Sequence, residues 1–129
     1  MSTRRSTLQV LEGRFAVCRL GPAEAVPAGL IESAFVSLTR TPDELSIVCP
    51  ESEAPPDSRC ETGWRRIRVR GSLDLAETGV LAALAAPLAE ARISFFALST
   101  FDTDYLLVKE RDLSAALAAL TRSGHRIQE

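Results

Sequence analysis

The chain has 129 residues, of which 46% are hydrophobic and 25% charged, and its formal net charge is −2. This size allows one ordinary domain or two small ones that share a core, and the small charge gives no general attraction to nucleic acid or to an anionic membrane. The apolar runs are shorter than the ~20 residues that span a bilayer, and residues 1–8 lack the apolar region of a signal peptide. We therefore expect a cytoplasmic protein that binds neither nucleic acid nor membrane.

In chain order, the first half predicts a strand and then a hairpin. Residues 14–19 (RFAVCR) have the composition of a strand, and residues 30–33 allow at most a turn or two of helix. Residues 34–48 (AFVSLTRTPDELSIV) predict two strands joined by a polar turn. We expect this half to be an abbreviated unit that lacks a long helix.

The segment at residues 49–58 (CPESEAPPDS) predicts a joint between two parts of the chain. Its prolines and acidic residues favour neither the continuation of a central strand nor a helix. We therefore divide the chain into a first unit at residues 1–60 and a second unit at residues 61–129.

The second half predicts the element order βαββαβ. Its first helix runs to about residue 91, with Thr78 as the N-cap and Pro87 inside it, where proline bends a helix and costs roughly 3 kcal/mol unless it is compensated. The other predicted elements are a strand at 64–69, a strand at 93–99 that is buried on both faces, a strand at 104–109, a helix from Asp112 to a stop at Gly124, and a short strand at 125–128. This order is the split-βαβ, ferredoxin-like plan, an α+β fold with two helices on one face of an antiparallel sheet, in which the first strand lies between the third and the fourth.

The strand at residues 64–69 also carries a row of arginines. Alternation places Ile67 and Val69 on one face and Arg66, Arg68 and Arg70 on the other. We interpret this row as a solvated strip or, as an alternative, a site for an acidic partner.

The two halves contain a repeat. When residues 34–48 are placed over residues 94–108, apolar and polar positions match at a constant offset of sixty. A match of this length at one register is stronger than any single residue identity. It indicates two related strand–turn–strand hairpins, each with a polar tip.

The cysteines and the histidine do not predict catalysis. Cys18, Cys49 and Cys60 are far apart in the sequence and form no metal-binding motif, so we expect buried structural thiols and no metal or other cofactor. His125 is the only histidine, and it would have to serve as the base for any serine or cysteine nucleophile. A catalytic triad is therefore not indicated.

The first candidate binding segment is the predicted start of the helix, Glu77, Thr78, Gly79, Val80 and Leu81. A helix N-terminus leaves backbone N–H groups unpaired and carries a partial positive charge, which suits a carboxylate or a phosphate. Glycine there would let a ligand approach those donors. Taken alone, the pattern is explained better by an ordinary cap and a tight turn.

The second candidate segment is the polar hairpin tip, which comprises Ser99, Thr100, Phe101, Asp102, Thr103 and Asp104. A free amino acid needs an anion site for its carboxylate and acceptors for its ammonium group, and the two segments together offer both. Serine, threonine and aspartate are also common in turns for purely local reasons. That reading stays open at this stage.

Two catalytic or nucleic-acid readings of the same plan are less well supported. Asp102 and Asp104 suit general acid–base chemistry, but no nucleophile or oxyanion-stabilising set accompanies them. Acylphosphatases share the plan and depend on an asparagine, and the chain has none. RNA-recognition domains carry stacked aromatics where this chain has arginines. We therefore expect a binding protein and not an enzyme.

Two segments resemble a known family. Residues 79–113 (GVLAALAAPLAEARISFFALSTFDTDYLLVKERDL) are similar to the C-terminal ACT domain of small bacterial ACT proteins and of the CASTOR-type arginine sensors, and residues 37–51 (SLTRTPDELSIVCPE) are similar to the matching N-terminal segment of the bacterial proteins. The resemblance implies tandem ACT-like units, the first abbreviated, with a ligand bound at a junction between units, and commonly a homodimer.

The resemblance also implies which residues bind the ligand. The matching positions are Gly79, Val80, Thr100, Phe101, Thr103 and Asp104. The sensors have an aromatic residue where this chain has Thr103, so arginine does not follow as the ligand. We hypothesise an amino-acid-binding regulatory module that acts on a partner protein; the alternative is an interaction module that has kept the fold and lost the ligand.

Overall fold

The computed structural model describes residues 5–71, 73, 76 and 78–128. Its residues pack into two compact units. Unit 1 takes the chain up to Glu12 and again from Arg65 onward, and unit 2 is Gly13–Trp64. Two strands continue from one unit into the other. Near each of these crossing points lies a glycine with positive φ, Gly13 at 98° and Gly63 at 80°. Glycine reaches this conformation far more easily than other residues do.

Seven strands, two α-helices and three short 3₁₀ turns make up the described chain. The strands are β1 (Thr7–Leu20), β2 (Ser37–Arg40), β3 (Leu45–Pro50), β4 (Arg59–Val69), β5 (Phe95–Ser99), β6 (Asp104–Lys109) and β7 (Arg126–Gln128). The helices are α1 (Val80–Glu90) and α2 (Leu113–Arg122), and the 3₁₀ turns are Leu30–Glu32, Glu51–Glu53 and Glu110–Asp112. None of the helices in the described residues is long and apolar enough to cross a membrane.

Unit 1 has the predicted α+β plan, and the fold class is confirmed. Its strands follow the order β7–β1–β4–β6–β5, and α1 and α2 pack on one face. The core joins Ile67 and Val69 of β4 to Leu84 and Leu88 of α1 and to Leu120 of α2, each at most 2% exposed. Fully burying one such side chain stabilises the fold by about 1.5–3 kcal/mol. Apolar residues three to four positions apart therefore form the buried faces of α1 and α2.

The neighbours of β4 differ from the prediction. We expected the last strand beside it, but the first residues of β1 lie between β4 and β7. β1 pairs in parallel with β7, with Thr7 opposite Arg126 and Gln9 opposite Gln128. The predicted strand at residues 14–19 covers only part of β1, because the alternation from residue 7 to 13 is too weak to mark a strand.

Unit 2 has the strand order β2–β3–β1–β4. β3 pairs antiparallel with β1, from Phe15 opposite Pro50 to Leu20 opposite Leu45. Its buried core contains Ala16, Cys18, Leu30, Leu45, Ile47 and Cys49. The predicted joint is partly wrong, since β3 continues through Cys49 and Pro50, where a proline is tolerated at the end of a strand.

The strand β5 is less buried than predicted. Phe95 and Phe96 are half-buried and Ala97 is exposed, so the strand is not buried on both faces. It lies at the edge of its sheet, paired only with β6 along the strand order of unit 1. A continuous apolar run does not distinguish an edge strand from a central one.

The two hairpins have the same turn geometry. Equivalent turn residues are 59 positions apart in the chain, and not sixty as predicted. The amide of Thr41 donates to Glu44 O over 2.9 Å, and that of Thr100 donates to Thr103 O over 2.8 Å. Each threonine hydroxyl also accepts from the amide three residues on, over 3.1 and 3.2 Å. The predicted alignment was one residue out because similar side chains were matched without regard to the turn, and a slip of one residue exchanges the two faces of a strand.

Pro87 lies within α1, and its missing N–H leaves the carbonyl of Ala83 without its usual helical donor. The ring of His125 takes that place, with Nε2 2.9 Å from Ala83 O. Its Nδ1 accepts from the amide of Ser6 over 3.1 Å. This buried histidine, 4% exposed, therefore compensates for the helical proline.

The arginine row is not a solvated strip. Arg66 and Arg68 are half-buried, and only Arg70 is exposed. Burial lowers the pKa of Arg66, whose guanidinium donates to the carbonyl of Glu12 over 3.0 Å. These side chains are long enough to lay their apolar stems over the sheet.

Candidate functional site

Unit 1 contains a cavity of about 280 Å³ at the start of α1. Its walls come from the first turn of α1, from the tip between β5 and β6, and from Leu73. The volume lies just below the range for drug-sized small-molecule sites, ~300–1,000 Å³. It suits a compact metabolite better than a nucleotide.

The helical wall presents backbone donors. The N-cap of α1 is Gly79, with φ of 84°, and no side chain caps the helix. The prediction that Thr78 is the cap is therefore wrong, because the left-handed backbone at Gly79 already turns the chain into the helix. The first turn has no acidic residue, so the partial positive charge of the helix start is not offset there.

The hairpin wall is held in place by threonine. Thr103 is 3% exposed, and its hydroxyl donates to the carbonyl of Val69 over 2.7 Å. Its amide N–H is not available to a ligand either, because it donates to the hydroxyl oxygen of Thr100. The carbonyl of Asp102 accepts from the amide of Leu73. The tip is thereby tied to the loop before α1.

Among the residues that the structure describes, one carboxylate lines this cavity. Asp104, the first residue of β6, lines it and accepts from the hydroxyl of Ser99 over 2.7 Å. That contact occupies one carboxylate oxygen and leaves the other able to accept. Phe101 lies at the rim with 78% of its surface exposed, and Leu81 is 37% exposed.

The structure brings most of the predicted site residues together. The cavity is lined by Gly79, Val80, Leu81, Ser99, Thr100, Phe101, Thr103 and Asp104, and also by Leu73 and Ala82. Thr78 and Asp102 are not among its lining residues, and Glu77 lies outside the described residues. Leu73 was missed because the sequence around it shows no recognisable pattern. Ala82 could have been included, because the first turn of a helix that starts at Val80 contains it at 3.6 residues per turn.

The described residues contain no group of three or more histidine, cysteine, aspartate or glutamate side chains able to hold a metal ion. The described lining residues of the cavity offer hydroxyls, backbone amides and the Asp104 carboxylate. This set can hold a small zwitterion, with opposite charges at its two ends.

Comparisons with known proteins identify the family. A family model described as an ACT domain matches residues 59–122, and a second model, described as an N-terminal domain, matches residues 13–57. The first model covers the helix start and the hairpin tip that line the cavity.

Three relatives are informative. The rat (Rattus norvegicus) protein named Cytosolic arginine sensor for mTORC1 subunit 1 is 35% identical over 98 residues, which are 68% of this chain and 30% of that protein. The human (Homo sapiens) protein CASTOR3P is 34% identical over 109 residues, 67% of each chain. A crystal structure of an Agrobacterium tumefaciens protein is 39% identical, covers 98% of this chain and 94% of that chain, and has a TM-score of 0.90.

The chain thus spans about 30% of the length of the arginine-sensor relative and nearly all of the bacterial one. The fold of unit 1 and these matches agree, and the chain belongs to the ACT domain family.

Proposed function

We propose that the chain is a regulatory module that binds a free amino acid in the unit 1 cavity. The observation that carries this proposal is that the uncapped first turn of α1 and the Asp104 carboxylate line the same small cavity. The amides of Val80 to Ala82 would take the ligand carboxylate, and Asp104 the ammonium group or a cationic side chain. Phe101 would cover the apolar part of the ligand.

A regulatory role rather than a catalytic one is supported by what lines the cavity. The Thr103 hydroxyl donates to the backbone carbonyl of Val69, and the Ser99 hydroxyl donates to the Asp104 carboxylate. The described lining residues include no histidine, lysine or cysteine, so the serine–histidine and cysteine–histidine pairs of nucleophilic catalysis are not present among them. The rat relative is named as a sensor, which supports the same role here. We propose that a separate partner protein responds to ligand binding.

The proposal extends to the organisation of the chain. We propose two ACT-like units, an abbreviated one at residues 1–60 and an ACT domain at residues 61–129, and a homodimer as the assembled form. The matching threonine turns at Thr41 and Thr100 support the relation between the two hairpins. The alternative, an interaction module that has lost its ligand, predicts the same fold without binding.

Calorimetric titration of the full chain with each common amino acid tests the binding proposal. We expect Asp104→Asn to weaken the binding of the recognised amino acid by about 10- to 100-fold, because a hydrogen bond to a charged group contributes ~1.5–3 kcal/mol. Asparagine can still accept from Ser99, so the tip should keep its geometry.

Asp102→Asn is the matched control, since this neighbouring carboxylate is not among the lining residues. It should bind like the wild type. Equal losses in the two variants, or no binding by any amino acid, would contradict the assignment and favour the interaction module.

A further inference from the structure

Three cysteines that are far apart in the sequence meet in unit 2. Cys18 lies on β1, Cys49 on β3 and Cys60 on β4. All three are free thiols. The first two belong to the buried core, and Cys60 packs against it. Neither their number nor their spacing in the sequence revealed this cluster.

Strand register explains the meeting of the two buried thiols. Ala16 is opposite Cys49, and Cys18 is opposite Ile47. Side chains two residues apart on a strand point to the same face, so Cys18 and Cys49 are diagonal neighbours in one layer. β4 lies on the other side of β1, which brings Cys60 to the same layer from the opposite direction.

The sulfur atoms interact directly. Burial, a hydrogen bond with Cys60 and the charge of that group raise the pKa of Cys18 from 9.0 to about 12. A hydrogen bond that raises the pKa of a thiol favours its protonated form, so Cys18 stays protonated beside Cys60. On its other side, Cys60 Sγ lies 2.9 Å from the hydroxyl of Ser58.

The three thiols differ in access to solvent. Cys18 is 2% exposed and Cys49 is fully buried, whereas Cys60 is half-buried. A small oxidant therefore reaches Cys60 first. Susceptibility of thiols to oxidation follows such exposure.

We propose that unit 2 contains an oxidation site in which a peroxide oxidises Cys60 and Cys18 then forms a disulfide with it. In the first step the Cys60 thiolate attacks a peroxide oxygen; the S–O bond forms, the O–O bond breaks, and with hydrogen peroxide the leaving hydroxide takes a proton to become water. In the second step the Cys18 sulfur attacks the Cys60 sulfenic acid; the S–S bond forms, the S–O bond breaks, and the Cys18 proton leaves with the hydroxyl group as water. Two thiols lose two electrons, and one peroxide becomes two waters.

Cys18 is the partner because it lies between the other two thiols. The pKa of Cys18 depends on a hydrogen bond with Cys60 and that of Cys49 on a hydrogen bond with Cys18, whereas Cys60 affects Cys49 only through charge. Cys18 and Cys60 lie on the adjacent strands β1 and β4, and neighbouring residues of adjacent strands can reach the ~4.4–6.8 Å Cα separation that a disulfide needs. The described residues offer no metal-binding group as a rival use of these thiols.

Peptide mapping after peroxide treatment of the reduced full chain tests the proposal. Trypsin cleaves after arginine and so separates the cysteines into three peptides, residues 15–19, 41–59 and 60–65. We expect loss of two of the three titratable thiols, an intact mass lower by two hydrogens, and a cross-link between peptides 15–19 and 60–65 that a reductant reverses. Peptide 41–59 should keep its free thiol.

Variants separate the steps. Cys49→Ala is expected to form the same disulfide, and Cys18→Ala to stop at a sulfenic acid on Cys60 that a dimedone probe captures. If Cys49→Ala does not fold, the wild-type map still decides. A disulfide that contains Cys49, a cross-link between chains, or three thiols that survive peroxide would overturn the proposal.

Discussion

Cys18 shows how one buried side chain links stability to pH. Its pKa rises from 9.0 to about 12 on folding, first because burial disfavours the thiolate. A folded-state pKa above the unfolded value means that the unfolded chain releases its proton first. The corresponding stabilisation is complete below pH 9.0 and is lost as the pH rises from there toward about 12.

We therefore predict that Cys18→Ala removes part of the alkaline loss of stability. Denaturant unfolding of the wild type and the variant should be compared at pH values below and above 9.0. The free energy of unfolding of the wild type should fall more steeply across this range than that of the variant. Parallel pH profiles would show that the pKa of Cys18 does not differ between the folded and unfolded states.

At the same scale, Thr103 illustrates a predicted ligand residue with a structural contact. Its hydroxyl is already committed to the carbonyl of Val69, and its side chain is buried. It therefore holds the hairpin tip against β4. In Asp104 beside it, one carboxylate oxygen accepts from Ser99 and the other can accept a further hydrogen bond. Of these two neighbouring residues, Thr103 has a structural contact and Asp104 is the one to which we assign ligand binding in the proposed function.

At the scale of elements, the contact between α1 and the segment before β7 rests on a proline and a histidine. Pro87 withholds a hydrogen bond from the carbonyl of Ala83, and His125 supplies one from Nε2 while Nδ1 accepts from Ser6. Because Nδ1 accepts from an amide while Nε2 faces a carbonyl, these hydrogen bonds require the tautomer with its proton on Nε2. A buried carbonyl without a donor costs about 1–3 kcal/mol.

We predict that His125→Phe destabilises the chain by about 2–4 kcal/mol, because both Ala83 O and the Ser6 amide lose their partner. In a Pro87→Ala background the loss should be smaller, since residue 87 then donates to Ala83 within the helix. Denaturant unfolding of the two single variants and the double variant measures the coupling. Additive losses would mean that the histidine does not replace the missing helical bond.

The register of each hairpin is set by its turn. Thr41 and Thr100 close four-residue turns of the same hydrogen-bond pattern, and each turn sets which side chains enter the core. Leu106 and Val108 face the unit 1 core, and Ile47 and Cys49 face the unit 2 core, as the shorter offset requires. Turn chemistry, rather than side-chain similarity, determines the alignment of the repeat.

For the whole molecule, we predict a homodimer in which a second copy covers the rim of the cavity. Phe101 and Leu81 are large apolar side chains exposed at that rim, and burying such surface favours association. Sedimentation should give twice the chain mass of 14.0 kDa, and Phe101→Asp should shift the protein toward the monomer.

Ile31→Asp provides the matched control, because Ile31 is also exposed, by 69%, but belongs to unit 2 and does not line the cavity. It should leave the dimer unchanged. A wild-type protein that sediments as a monomer over the accessible concentration range would refute the assembly.

The sequence alone predicted the elements of unit 1 from β4 onward and two of the segments that line the cavity. Apolar spacing and turn residues are local signals, and they act on the same few residues that form a helix or a hairpin. They identified β6 to the residue and placed Gly79 and Asp104 in one candidate site. Tertiary packing was needed to show that β1 lies beside β4, that β5 is an edge strand, that His125 bonds the carbonyl that Pro87 leaves without a helical donor, and that three distant cysteines meet. These are contacts between residues far apart in the chain, and such contacts follow from how whole strands and helices pack, which no local pattern records.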